Sequence, residues 1–193
     1  AATDIIQPTK LAPSQADKTC LTCHRNQPTH VGRIDSGHAR SAIACTSCHS
    51  VHKPKELARH GRNSAVNQQC TSCHVNTLAS FQKPHAHPLS TLPSAGNNAM
   101  SCLDCHNPHG SAPKANLKFA SANEPGCLKC HSDKRGPFAF EHAPMRTEGC
   151  SSCHEPHGST NPRMLTRPEV RLQCLECHSN IATQQATGAA AGG

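Results

Sequence analysis

The sequence of 193 residues contains no tryptophan, no tyrosine and only four phenylalanines. A chain with so few large apolar side chains cannot bury enough of its own surface to offset the entropy of ordering the backbone. The scarcity also argues against single-stranded nucleic-acid binding, which relies on aromatic stacking. An ordered structure therefore needs a core that something other than side chains supplies.

Long apolar runs are also absent, since no stretch reaches the roughly 20 residues that a membrane-spanning helix needs. The first four residues do not form a charged-then-apolar leader, so we expect a mature exported chain. We further expect an N-terminal extension over residues 1–17, one domain over 18–180, and a flexible Ala/Gly-rich tail over 181–193.

Cysteine and histidine are abundant instead. The chain has 14 cysteines and 16 histidines, and every cysteine lies in a Cys-x-x-Cys-His motif. This motif attaches haem c: its two thiols bond to the macrocycle, and its histidine becomes the proximal ligand of the iron. Seven such motifs predict seven covalently bound haems. The attachment residues are Cys20, Cys23, Cys45, Cys48, Cys70, Cys73, Cys102, Cys105, Cys127, Cys130, Cys150, Cys153, Cys174 and Cys177. The proximal iron ligands are His24, His49, His74, His106, His131, His154 and His178.

Two other uses of paired cysteines fit the motifs less well. Disulfides suit an exported chain with an even number of cysteines, but they do not require a histidine after every second cysteine. Zinc ribbons pair two Cys-x-x-Cys segments per metal and do not require that histidine either. Seven repetitions that leave no cysteine over favour haem.

Haem would change both the core and the charge. One haem per about 28 residues would supply the apolar area that the side chains lack. The formal net charge of the chain is +7, but each haem adds two propionates and about one positive charge at the ferric iron, which brings the oxidised protein close to zero. The basic composition is therefore not a sign of nucleic-acid binding.

Further histidines follow a longer repeat. The second, fourth and sixth motifs each have one histidine three residues after the proximal one and another upstream. Imidazole can fill either axial position of haem iron, so we predict that these histidines are distal ligands rather than residues of surface turns. The predicted distal ligands are His38, His52, His87, His109, His142 and His157. His30, His60 and His85 remain for the seventh haem, and His30 is preferred.

The three-residue spacing limits what such a histidine can bind. His109 follows the proximal ligand His106 too closely to reach the opposite face of the same haem, so it should ligate a neighbouring haem. Residues three apart in a helix lie roughly 5–6 Å apart between Cβ atoms, which would place neighbouring porphyrins near contact. Gly110 and Gly158 would let the chain turn away sharply after the histidine.

Hydrophobic periodicity is weak and strand signals are nearly absent. These features predict a multihaem cytochrome c fold, with short α-helices and irregular loops wrapped around an elongated chain of haems and almost no β-strand. We expect short helices to begin at or just after each motif, with residues 67–75 and 170–179 as candidates. Residues 81–98 contain three prolines and are expected to form one long loop that could divide the domain.

Several longer strings are more specific than the haem motif alone. They are Cys-Leu-Asp-Cys-His-Asn-Pro-His-Gly-Ser (102–111), Asp-Lys-Arg-Gly-Pro (133–137), Glu-His-Ala-Pro (141–144), Pro-His-Gly-Ser (156–159), Arg-Met-Leu (163–165) and His-Pro-Leu (87–89). Through these strings the chain resembles the MtrA/DmsE family of decahaem cytochromes over roughly residues 18–180.

The resemblance implies bis-histidine haems in an elongated chain, and electron transfer in the periplasm or across the outer membrane. The implied partners are periplasmic donor cytochromes, an outer-membrane porin, and an extracellular cytochrome or terminal reductase. The chain has seven motifs where the family has ten, which favours a periplasmic shuttle or a shorter segment of a relay.

An electron carrier with no substrate chemistry of its own is the leading interpretation, and two other functions stay open. A multihaem reductase of oxyanions or nitrogen compounds would need an iron with an open sixth position, and no variant motif, tyrosine or separate acid–base group marks one. A subunit of an extracellular haem filament would use His30, His60 or His85 to ligate a haem of the next subunit.

Overall fold

A computed structural model describes residues 6–30, 32–33, 36–50, 59–89, 99–111, 114–118, 120–121 and 124–180. Seven short α-helices lie in this part of the chain. They are α1 (Pro13–His24), α2 (Gly37–Arg40), α3 (Arg59–Thr71), α4 (Val75–Phe81), α5 (Cys102–Cys105), α6 (Pro144–Thr147) and α7 (Val170–Leu175). Single 3₁₀ turns lie at Pro8–Lys10, Pro28–His30, Cys45–Ser47, Lys114–Asn116, Gly126–Lys129, Ser132–Lys134, Cys150–Ser152 and Pro162–Met164.

The sheet structure of the described residues is one short antiparallel pair. Strand β1 (Ala120–Ser121) pairs with β2 (Glu124–Pro125) in the register Ala120 to Pro125. The predicted fold of short helices and irregular loops with almost no strand is confirmed. Among the residues that are described, no helix combines the length and the apolar character needed to cross a membrane.

The helices are placed differently from the prediction relative to the motifs. Helix α1 ends at His24, α3 contains Cys70 and α7 contains Cys174, so all three precede or enter a motif. Helix α4 does begin directly after His74, as predicted. The prediction is wrong for α1 and α3 because the turn that carries the first cysteine is continuous with the preceding helix. Helix α7 begins at Val170, where its candidate range begins.

The two candidate helices have different limits from those expected. The segment 67–75 is divided, since α3 ends at Thr71 and α4 begins at Val75. The segment 170–179 contains α7, which ends at Leu175. The expected loop begins where α4 ends, at Phe81, but its residues 90–98 lie outside the described residues, as do 1–5 and 181–193.

Buried apolar side chains are few. The buried hydrophobic residues of the described chain are Ala16, Ala44, Leu89 and Leu128. Two of the four are alanines, which contribute little apolar area. The side chains therefore form no sizeable core of their own in this part of the chain.

A partly buried ion pair links the first two motifs. Arg33 pairs with Asp17 of α1, and its guanidinium also donates to the Ile43 carbonyl at 2.7 Å. The other Asp17 carboxylate oxygen accepts from the Cys45 backbone N–H at 2.8 Å. Burial opposes ionisation of Asp17, but the Cys45 amide and the Arg33 guanidinium outweigh it and hold the pKa of the carboxyl below its usual value. The pair thus fixes the start of the second motif against α1.

Asn67 links the third and fourth motifs. Its side chain is fully buried, its amide nitrogen donates to the Met100 carbonyl at 2.9 Å, and its amide oxygen accepts from the Cys102 backbone N–H at 2.8 Å. Because both ends of the amide are bonded, Asn67 ties α3 to the start of α5.

Replacing Asn67 with alanine is expected to destabilise the protein by about 3 kcal/mol, because a carbonyl and an amide would lose their buried partner. Denaturant unfolding followed by circular dichroism measures the change. Asn76 on α4 is exposed, so Asn76→Ala is the matched control and should change the free energy of unfolding by less than about 0.5 kcal/mol. Equal effects of the two substitutions would show that Asn67 does not tie the motifs together.

Candidate haem sites

Each motif is a single helical turn that closes at its histidine. In the second to seventh motifs the histidine backbone N–H donates to the carbonyl of the first cysteine at 2.9–3.0 Å. These bonds join His49 to Cys45, His74 to Cys70, His106 to Cys102, His131 to Cys127, His154 to Cys150 and His178 to Cys174. The first motif lies within α1. Residues i, i+3 and i+4 share one side of a helical turn, so both thiols and the imidazole of a motif face the same site.

The cysteines form no disulfides, since all fourteen are free thiols. Within the described ranges, no group of three or more His, Cys, Asp or Glu residues is arranged to hold a metal ion. Both thiols of every motif are therefore free to bond to haem.

The thiols of consecutive motifs lie close enough to affect one another's ionisation. Cys70 and Cys102 share a hydrogen bond, which lowers the pKa of Cys70 to about 7 and raises that of Cys102. In other motifs, burial is the largest cause that raises the pKa of a cysteine, and nearby carboxylates or thiols raise it further. The neighbouring thiols are Cys20 for Cys45, Cys70 for Cys48, Cys127 for Cys105 and Cys127 for Cys150. The first six motifs therefore follow one another in space in their chain order.

Five pairs of histidine rings lie about 6 Å apart. Each pair joins a proximal histidine to a predicted distal one that does not belong to the same motif. The centroid distances are 5.9 Å for His49 and His109, 6.1 Å for His74 and His38, 6.0 Å for His106 and His157, 6.2 Å for His131 and His87, and 6.1 Å for His178 and His142.

This distance fits an iron between two imidazoles. A metal–imidazole bond is about 2 Å long and the ring centre lies about 1 Å behind the nitrogen, so two imidazoles on opposite sides of one metal have centroids roughly 6 Å apart. The rings of His30 and His109 are too close for an iron between them, since their centroids lie 4.2 Å apart. The five pairs therefore have the separation that axial ligation of a haem requires.

Backbone carbonyls fix the tautomer of several of these rings. In four histidines Nδ1 lies within hydrogen-bond distance of a carbonyl oxygen. The partners are Pro108 for His38 at 3.0 Å, Pro156 for His87 at 2.7 Å, Ala115 for His106 at 2.8 Å and Arg163 for His154 at 2.8 Å. Because a carbonyl can only accept, Nδ1 carries the hydrogen and Nε2 keeps the lone pair that could bind iron.

Two of the predicted distal rings are partly buried. Burial, followed by the charges of His30 and His49, lowers the pKa of His109 to about 4. Burial and then His106 lower the pKa of His157. Both imidazoles are therefore neutral at pH 7, which is the form that binds a metal.

Not every predicted ligand lies against a proximal histidine. The His30 ring stands edge-on to His109, and its Nδ1 lies 3.1 Å from the His24 carbonyl. His52 lies outside the described residues. His24 and His154 have no histidine ring paired with them among the residues that are described. The ligands of these two sites stay predictions.

Sequence reasoning does not identify the groups that orient the ligands. Pro108 and Pro156 act through their backbone carbonyls, so their residue type gives no direct signal beyond the repeated Pro-His-Gly string. Phe81, whose ring centroid lies 5.1 Å from that of His157, forms part of the wall of that site and is also missed. The clue that the sequence offers is that Phe81 is one of only four phenylalanines in the chain.

The chain belongs to the multihaem c-type cytochromes. The family model for the doubled CXXCH motif matches residues 93–136 and 142–183. The chain is 39% identical over 170 residues to the multihaem cytochrome MtrA of Shewanella baltica, in an alignment that covers 88% of this chain and 47% of that protein. It thus spans about half the length of that relative. These findings confirm the predicted resemblance and support covalent attachment of haem c at the motifs.

Proposed function

We propose that the chain is an electron-transfer protein that carries seven haem c groups, one on each motif. Haem c would supply a one-electron redox centre, which is all the chemistry that this function needs. The observation that carries the proposal is the set of five imidazole pairs about 6 Å apart. At these five sites an iron would have both axial positions filled and no place for a substrate, which favours a carrier over a reductase.

The histidines of the even motifs would tie distant motifs together. His49 of the second motif would share an iron with His109, which follows the fourth motif, and His106 of the fourth would share one with His157, which follows the sixth. Because His106 and His109 are three residues apart and serve different sites, one short segment holds two sites side by side. Close spacing of this kind favours rapid electron transfer.

The odd motifs would follow a second rule. Each of the third, fifth and seventh motifs pairs with the histidine upstream of the preceding even motif. For the first motif, on His24, we propose His52 or His30 as the distal ligand. His30 lies beside His24, and its hydrogen bond to the His24 carbonyl leaves Nε2 free.

We further propose that the chain relays electrons in the periplasm or across the outer membrane. Its partners would be periplasmic donor cytochromes on one side and an outer-membrane porin with an extracellular cytochrome or a terminal reductase on the other. The similarity to a multihaem cytochrome supports this location. Fractionation of the source cells with haem staining tests it: recovery with the periplasm or outer membrane is expected, and recovery with the cytoplasm would refute it.

Low reduction potentials are expected for every haem, because imidazole ligation and solvent exposure both favour the ferric state. The hydrogen bonds at Nδ1 add to this preference by making the imidazoles more basic. A spectroelectrochemical titration should show all centres reduced below the usual range of cytochromes with His/Met ligation. A haem with a strongly positive potential would contradict bis-histidine ligation at that site.

A further inference from the structure

Residues 102–111 with 114–118, and residues 150–166, form two copies of one loop, and each copy begins with a Cys-x-x-Cys-His motif. Equivalent backbone hydrogen bonds of 2.8–2.9 Å close both copies. The bonds run from Asn107 to Asn116 and from Lys118 to Cys105 in the first loop, and from Glu155 to Met164 and from Thr166 to Cys153 in the second. Each loop also fixes its proximal ring through an Nδ1–H bond of 2.8 Å. The His154 site is therefore built in the same way as the His106 site.

The two sites differ in their second imidazole. His106 of the first loop faces His157, which the second loop supplies, with 6.0 Å between ring centroids. Nothing in the described part of the chain places a histidine ring against His154 in the corresponding way. His49 lies against a histidine of the first loop, and His106 of the first loop lies against a histidine of the second. By the same rule, the histidine that pairs with His154 of the second loop would come from a third loop.

Each loop packs against an earlier segment of the chain, which we call its receiving segment. The receiving segment of the first loop ends at His38, and that of the second loop ends at His87. The first loop meets the chain at Gly32 and Ser36, and the second meets it at Ser80 and Ala86. The closest approaches are made by Gly110, at φ +102°, and Gly158, at φ +139°. A side chain at either glycine would collide with the receiving segment in addition to straining the backbone.

A third receiving segment, residues 136–142, meets no loop in the described chain. It ends in His142, which has the same place in the repeat as the upstream histidines of the first two segments. Two residues earlier stands Phe140, which is 96% exposed, whereas Ser36 at the equivalent position of the first segment is 2% exposed. Nδ1 of His142 has no hydrogen-bond acceptor among the described residues, unlike its two counterparts.

We propose that residues 136–142, together with the open side of His154, form the docking site for the Cys-His-x-Pro-His-Gly loop of a further haem-binding repeat. The inference rests on the proposed haem attachment at the motifs. The occupant is identified from the two interfaces inside the chain, in each of which a loop with the string Pro-His-Gly packs against a receiving segment. Its histidine would complete the site on His154, the carbonyl before that histidine would accept from His142, and its glycine would allow contact at Phe140.

The test uses the holoprotein of 193 residues and an acetylated synthetic peptide with the sequence of residues 155–160, Glu-Pro-His-Gly-Ser-Thr. Low-temperature EPR of the air-oxidised protein should show high-spin iron, of which one haem equivalent disappears when Cys150 and Cys153 are both replaced with alanine. The peptide should convert that equivalent to low-spin iron at a concentration about tenfold lower than free imidazole needs, because the peptide also contacts the exposed phenylalanine. Phe140→Ala should remove this advantage without changing the other haem signals.

Three results would overturn the proposal. In the first, the unliganded holoprotein shows no high-spin iron. In the second, the peptide binds no better than imidazole to the unmodified protein. In the third, His85→Ala creates a high-spin haem signal that disappears when Cys150 and Cys153 are also replaced. That result would mean that His85 of this chain is the second ligand of the haem on His154. A preparation that lacks covalent haem would instead contradict the proposed function, so the two failures can be told apart.

Discussion

Without covalently attached haem, the chain is expected to remain unfolded. The buried hydrophobic residues of the described chain are two alanines and two leucines, and the backbone entropy of ordering a chain of this length is far larger than their burial could offset. The proposed sites bring together histidines that are distant in sequence, such as His49 and His109, so we expect the cofactor and the fold to depend on each other.

Expression without the haem-attachment machinery, or with all cysteines replaced by serine, provides the apo-chain. Far-UV circular dichroism should show little helix and no cooperative thermal transition, whereas the holoprotein should unfold cooperatively. Graded variants sharpen the test. Loss of the terminal attachment pair Cys174 and Cys177 should be tolerated far better than loss of Cys70 and Cys73, which lie between two other motifs. A cooperative transition in the apo-chain would show that the side chains form a sufficient core.

Replacing His109 with alanine is expected to change the haem on the second motif. The haem on the fourth motif, which His109 directly follows in the sequence, should stay unchanged. The His109 ring lies 5.9 Å from His49 of the second motif, while its sequence neighbour His106 faces His157. Low-temperature EPR should therefore lose one low-spin haem equivalent and gain one high-spin equivalent that belongs to the haem on Cys45 and Cys48. Added imidazole should restore the low-spin signal, because it can occupy the vacated position.

The location of the new high-spin haem is the critical part of that test. In a background where Cys45 and Cys48 are replaced with alanine, His109→Ala should produce no further high-spin signal. In a background that lacks Cys102 and Cys105, it should still produce one. His85→Ala is the control, because the His85 ring is not paired with any proximal histidine of the described chain. A signal that follows Cys102 and Cys105 would mean that His109 ligates its own motif's haem.

The candidate ligands can be picked out from the sequence, but which rings lie together cannot. Motif spacing and the recurring histidines single out His38, His87, His109, His142 and His157, and each of them lies about 6 Å from a proximal ring. Which proximal ring each one meets depends on how whole loops dock, and those contacts are made by backbone carbonyls and by Gly110 and Gly158. Such contacts leave little trace in residue type.

Helix limits were the weakest part of the sequence prediction. The hydrophobic pattern is too weak to show where α3 ends, because few of its side chains face a protein core. The polar links between motifs were equally hidden: Asp17, Arg33 and Asn67 resemble ordinary surface residues in the sequence, yet each is bonded to another segment. These positions become recognisable only once the motifs are brought together.

The chain order of the motifs is preserved in space along the first six, since thiols of each consecutive pair are neighbours. Sites that follow one another in this way would give electrons a continuous path with short steps. The exposed segment 136–142 would then mark the place where the path continues into a partner. The proposed function thus rests on the contacts between motifs, namely the paired histidine rings and the neighbouring thiols, rather than on any single site.

The most direct test of this account is a low-temperature EPR spectrum of the air-oxidised holoprotein, with covalent haem quantified by intact mass. The account predicts seven haems per chain, of which at least five are low-spin ferric haems with two imidazole ligands, corresponding to the five ring pairs. Fewer than seven covalent haems, or three or more high-spin haems, would contradict the pairing of histidines between motifs.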